Sequence, residues 1–357
     1  MKRIGNLHGK ITSLENLFLA DRRARKGKKD QYGVQRHDCS WQANLYSLHH
    51  RLRTRGYETS PYKTFTIREP KERLIFALPY FPDRITHHAI LNVLEPIFRG
   101  MFTADTYSCV RGRGIHGAVR NLKKALRDEA GTTYCLKIDI RKFYPSVDHG
   151  ILKALLRRKF KDPDLLWLLE EIIDSAPGLP IGNYLSQYFG NFYLNGFDHW
   201  IKEKKRWPYY FRYMDDMVFL AGNKEELHAL LEEIRSYLRD HLRLDLKPNY
   251  QVFPVEARGI DFVGYQFFHR YTLLRKSIKQ SFARMAIRRP KLASFAAYNG
   301  WAFHCNSRHL LKTYPFNKIN DPLCHTSRRR SIPSSTHRPS MRTRVRRSGS
   351  SRTEMAS

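Results

Sequence analysis

Apolar and polar positions alternate along this chain in ways that separate short extended segments from longer amphipathic ones. Residues 11–20 (ITSLENLFLA) have helical spacing and run into a basic segment, RRARKGKK. Residues 62–78 (YKTFTIREPKERLIFAL) alternate around Glu69-Pro70-Lys71, which predicts a β-hairpin. Residues 83–99 predict a helix on Ile85, Ala89, Ile90, Val93, Leu94 and Ile97, with Pro96 set against its last turn. TTYCLKIDI (132–140) alternates like a strand, and helical stretches follow at 149–160 and 164–174. Pro177-Gly178 breaks the chain before one long expected helix, 183–205. In YYFRYMDDMVFLA (209–221) two apolar runs meet at Asp215-Asp216, a hairpin tipped by two carboxylates. Leu227, Leu230, Leu231, Ile234 and Leu238 share one face of a helix over 224–242. Strands are expected at 250–255 and 260–268, and basic, helical chain over 269–312. This order predicts an α+β fold with helices on one face of an antiparallel sheet.

The segment from 318 to 357 breaks the pattern. It is rich in Ser, Arg, Pro and Thr with few apolar residues, and is expected to be a basic disordered tail. Charge changes the picture further: 64 Lys+Arg face 33 Asp+Glu, a net +31. Residues 313–357 hold ten Lys/Arg and two Asp/Glu, so the body keeps 31 − 8 = +23 and the tail alone does not explain the excess. A body this basic is expected to lie on a polyanion. Aromatics at 13% suit a nucleic-acid channel, although most must be core. Five scattered cysteines without C-x-x-C spacing argue against disulfides and zinc. No run approaches a membrane span, so the sequence reads as cytoplasmic.

Asp139 ends a strand expected to be mostly buried, and Asp215 and Asp216 sit between apolar strands. Carboxylates in such places are costly unless paired, protonated or bound to cations. Two Mg²⁺ ions would remove the repulsion and suit phosphoryl transfer. Spacing alone equally admits a tight turn that uses Asp-Asp, with Asp139 an ordinary strand-end residue.

Tyr213-Met214-Asp215-Asp216 resembles the YMDD signature of reverse transcriptases, and LKIDIRKFYPSVDH (136–149), 76 residues upstream, resembles their motif A. The resemblance covers roughly residues 10–312 and implies a right-hand polymerase fold. Residues 1–131 would be N-terminal region and fingers, 132–268 palm with 176–207 adjoining the fingers, and 269–317 thumb. It implies Asp139, Ile140, Asp215 and Asp216 as metal positions for two Mg²⁺, Ile140 also as a nucleotide position, and Tyr144 as the steric gate. Lys71 and Arg73 resemble triphosphate-holding residues, the alternative being solvated hairpin charges. Lys247 in LDLKPNY resembles a proton donor to pyrophosphate, the alternative being a surface lysine. GIDFVGYQF (259–267) resembles the primer grip, which puts Phe262, Gly264 and Tyr265 under the primer end.

PIGNYLSQ (180–187) departs from most of the family: Ile181 stands where Gln precedes the glycine, and Gln187 stands where Pro follows the serine. With Gly182 these are the remaining expected nucleotide positions. This form, with RGRGIHGAV (111–119), LLRKSIKQ (273–280) and LASFAAYNGWAFH (292–304), resembles the reverse transcriptases of diversity-generating retroelements in phages and bacteria. That implies copying of a template-repeat RNA into adenine-mutagenised cDNA from dNTPs and a DNA or RNA primer, with a small basic accessory variability protein. Ile181 can only pack, which predicts weaker discrimination opposite template adenine. A group II intron-type or retron enzyme is the alternative. Against the first stands the lack of a maturase or endonuclease pattern after the thumb, and against both stands this motif. A third reading is an RNA-binding protein that kept the fold and lost catalysis. The basic positions Arg270, Arg275, Lys276, Lys279, Arg284, Arg288, Arg289 and Lys291 are expected to form a face along the template–primer backbone.

Overall fold

The structure, a computed structural model, describes residues 3–68, 72–288 and 291–314. The expected disordered tail and Lys71 lie outside them. The helix expected over 11–20 is two helices, His8–Thr12 and Leu14–Ala24. Ser13 sits between them in extended geometry and its hydroxyl caps the second through Asn16 N (3.3 Å). Helices Tyr32–Asp38 and Trp41–Arg53 follow. Ile85–Met101 runs through Pro96, because Ala89, Ile90, Leu94 and Phe98 are fully buried along one side and hold the helix past the lost hydrogen bond.

Strands β1 (Lys63–Ile67) and β2 (Arg73–Ala77) form the expected antiparallel hairpin, with Ile67 opposite Arg73. Every β1 residue is exposed, so the hairpin stands away from the core. The central sheet has β3 (Tyr134–Asp139), β4 (Tyr210–Tyr213), β5 (Asp216–Ala221) and β6 (Gln251–Pro254) in the order β4-β5-β3-β6, all antiparallel. Period-2 alternation gives this sheet two apolar faces. Leu136, Ile138, Met217 and Phe219 join the main core with helices Tyr184–His199 and Lys224–Leu242.

The opposite face is covered as well. Cys135, Val218, Leu220 and Phe253 join a second core with helix Gly114–Ala125 and a small sheet of β7 (Ile260–Phe262), β8 (Tyr265–Phe267) and β9 (Thr272–Leu274). The strand expected at 260–268 is thus a tight hairpin. Its turn residues Val263 (φ +43°) and Gly264 (φ +90°) are left-handed, and turns of this kind match the twist of the flanking strands. The chain from 269 is also not helical at once: β9 precedes helices Lys276–Arg288, Leu292–Ala302 and Arg308–Thr313. The long helix expected over 183–205 stops at His199, where one wider turn, Trp200–Lys204, replaces the α pattern. Among the described residues no helix is long and apolar enough to cross a membrane.

Candidate active site

Register brings the carboxylates together. Asp139, last in β3, lies directly opposite Asp216, first in β5, and Asp216 also pairs with Tyr213 across the β4–β5 turn. That leaves Met214 and Asp215 as the two-residue turn, with Met214 at φ +60°. A β-carbon makes such a conformation costly, so something must hold it. Arg212 does, donating to Met214 O at 3.0 Å and to Asn191 Oδ1 at 3.0 Å. The rest of its guanidinium grips Asp198: Nε meets Oδ1 at 2.7 Å, and Nη2 bonds Oδ2. Tyr210 OH (2.7 Å) and Thr106 Oγ1 (2.8 Å) fill the other lone pairs of Asp198. Both charges are fully buried. The sequence signal was an Arg inside an apolar strand and an Asp on an apolar helix, and neither was singled out.

Two lysines face the three carboxylates. Lys247 Nζ is bonded to Asp139 Oδ2, and Lys137 Nζ lies 3.3 Å from Asp216 Oδ1. Burial and the neighbouring Asp139 charge push the Asp215 carboxyl up to about 6. Burial also raises Asp216, against the pull of Lys137. Asp139 Oδ1 is buried with no hydrogen-bond partner among the described residues, and the buried Asp216 Oδ1 is met by the Lys137 ammonium at 3.3 Å. Carboxylate oxygens on adjacent strands are the hard donors that a divalent cation takes, so the donor set fits such an ion. Among the described residues no three acidic, His or Cys side chains already converge as a ligand group, with the lysines occupying Asp139 and Asp216 instead.

The Ile140 side chain is fully buried, so only its backbone is available to the site. It bridges to Leu246, flanked by Arg141 N to Asp245 O and Lys247 N to Asp139 O, both 2.8 Å. Antiparallel alternation therefore turns the Ile140 N–H and C=O away from Leu246, toward the β5 side.

Tyr144, in the short helix Phe143–Ser146, is half-buried, and its O accepts from Leu179 N at 2.8 Å. Its phenol is pushed well up by burial, then by Cys109 and Asp215, with Arg73 opposing. Tyr144, Asp215 and the exposed Arg73 thus share one field. Strand β2 is fused to the 180–187 segment: Phe76 N donates to Ile181 O at 2.7 Å. Gly182 has φ +123°, and a β-carbon there would strike Phe76 O. Gln187 is exposed and its Oε1 accepts from Cys109 Sγ at 3.1 Å. Nothing in the spacing of the five cysteines marks Cys109 for this contact.

In the 259–267 hairpin Phe262 and Tyr265 are fully buried, their rings packed into the second core. Tyr265 OH donates to Trp301 O at 2.9 Å and its ring lies 5.3 Å from Trp301. Gly264 sits against the Trp301 ring, where a β-carbon would collide. The two aromatics anchor the turn, and Gly264 O accepts from Arg275 N at 3.0 Å.

The chain resembles several known proteins. The chain is 27% identical to Protein YkfC of Escherichia coli K12 over 267 residues, covering 62% of this chain and 68% of that one. It is 19% identical to the group II intron-encoded protein LtrA of Lactococcus lactis over 261 residues, covering 53% and 43%. Apo telomerase from Candida tropicalis aligns with a TM-score of 0.48 at 12% identity, over 71% of this chain and 54% of that one. Residues 68–267, more than half of the chain, match the family described as reverse transcriptase (RNA-dependent DNA polymerase), and the carboxylates Asp139, Asp215 and Asp216 all fall inside that span: the chain belongs to the reverse transcriptase family.

Proposed function

We propose that the chain polymerises DNA on an RNA template at Asp139, Asp215 and Asp216, working from a primer and dNTPs. The observation that carries this is the Asp139–Asp216 register beside the Asp215 turn, with Asp139 Oδ1 buried and without a hydrogen-bond partner among the described residues. Two Mg²⁺ ions, held by these three carboxylates and the Ile140 backbone, would lower the pKa of the attacking 3′-hydroxyl and stabilise departing pyrophosphate. Residues 1–131 serve as N-terminal region and fingers, 132–268 as palm and 269–317 as thumb. Arg73, with Lys71, holds the triphosphate. Tyr144 closes the sugar side of the nucleotide site against a 2′-hydroxyl, and Gly182 and Gln187 line it. Lys247, beside Asp139, is placed to deliver a proton to pyrophosphate.

The substrate reading follows from the 180–187 segment. With Ile181 for a polar residue and Gln187 after Ser186, the site suits an error-prone enzyme of the diversity-generating retroelement type, acting in the cytoplasm with a small basic accessory protein. Likeness to the group II intron-encoded LtrA favours an intron-type enzyme as the second reading. Sequencing cDNA made on an adenine-containing template-repeat RNA, with the accessory protein present, separates them. Errors clustered at template adenines support the first reading, and uniformly faithful cDNA supports the second.

A further inference from the structure

Lys137 lies in the middle of β3, paired with Val218 on one side and Gln251 on the other. Its side chain emerges on the same face as Asp139 and is only 21% exposed. An ammonium placed there is costly unless fully paired. Its partners come from two different sheets. Nζ lies 3.3 Å from Asp216 Oδ1 and 3.4 Å from Oδ2, and it also donates to the backbone O of Asp261 in β7. The Asp261 carboxylate is held in turn by Arg275, just after β9, with Nε to Oδ1 at 2.6 Å. The β7–β8 hairpin is thus tied to the 275 segment by Arg275 and to the catalytic carboxylates by Lys137. An ammonium suits this post because its three donors serve a carboxylate and a carbonyl at once.

We propose that Lys137 is a positioning residue, which locks the β7–β8 hairpin to Asp216 and so sets where the primer end sits relative to the metal-holding carboxylates. This rests on the polymerase reading of the site, with the 259–267 hairpin under the primer end. Two consequences follow with opposite signs. Lys137 competes with a divalent ion for Asp216, so its loss leaves ion binding as tight or tighter. The hairpin loses its tie to the palm, so the primer end is misplaced and turnover falls.

Lys137→Met and Lys137→Arg test this in the full chain. Mn²⁺ binding to the free protein is measured by calorimetry, and kcat and dNTP KM by single-nucleotide extension. Stacking of the primer end is followed with 2-aminopurine at the terminus. Lys137→Met is expected to bind Mn²⁺ at least as tightly as wild type. Its kcat is expected to fall about tenfold or more, its KM to stay within about twofold, and its terminal fluorescence to change. Lys137→Arg recovers most of the loss. A Lys137→Met kcat equal to wild type overturns the proposal. So does a parallel loss of kcat, Mn²⁺ affinity and thermal midpoint, which would make Lys137 merely structural. Failure of the wild-type protein to bind Mn²⁺ and extend a primer would overturn the polymerase reading itself.

Discussion

Arg212 and Asp198 show what the YMDD turn costs to hold. Both charges are fully buried, and removing one strands the other. Arg212→Met is expected to lower unfolding free energy by about 3–5 kcal/mol in urea titrations. Arg212→Lys keeps the charge but loses the planar fork, and should fall between. Two histidines make the protein acid-sensitive by the same physics. Burial pulls His87 down to about 3 and His88 to about 4, so both are neutral in the fold. Their contribution is complete above the unfolded value near 6.5 and drains as pH falls toward the folded values, because only the unfolded chain takes up the proton. Stability should drop by roughly 3 kcal/mol for His87 alone between pH 6.5 and 4, and His87→Leu should remove much of that slope in urea titrations at each pH. Ile181 belongs to this scale too. Its carbonyl is spent on Phe76 whatever the side chain, so Ile181→Gln should keep the local backbone. The variant is expected to show fewer misincorporations opposite template adenine in sequenced cDNA. Asp139, Asp215 and Asp216 were legible from the chain because motif and strand pattern agreed. Lys137, Arg212 and Cys109 were not, since their partners at Asp261, Asp198 and Gln187 are set by tertiary contact alone.

At the scale of elements, the strands and hairpins of the central sheet were readable because apolar alternation is dense there. Misreadings occurred where local chemistry overrode the pattern. Ser13 capped a new helix inside ITSLENLFLA, and Val263-Gly264 folded one expected strand into two. The covered second face of the sheet was invisible in sequence, since both cores use the same apolar residue types. The junction of β2 with the 180–187 segment joins two elements distant in sequence through Phe76 N and Ile181 O. Gly182→Ala, at φ +123° and against Phe76 O, should cost roughly 1–3 kcal/mol, read as a lowered urea midpoint.

For the whole molecule, a net +31 and a body at +23 predict RNA binding dominated by phosphate contacts. Affinity should fall by about 10³ or more between 50 and 200 mM salt, with a linear log–log plot in filter binding. Two residues of the expected thumb face already sit in surface ion pairs, Arg275 with Asp261 and Arg270 with Glu129, so the slope is expected to report fewer phosphates than a count of basic residues suggests. The most direct test of the central claim is single-turnover primer extension on an RNA template with Mg²⁺, wild type against Asp215→Ala/Asp216→Ala. The account predicts cDNA from wild type, a loss of at least about a thousandfold in the variant, and RNA affinity unchanged between the two. Extension surviving in the variant, or tight RNA binding with no extension by wild type, would contradict it.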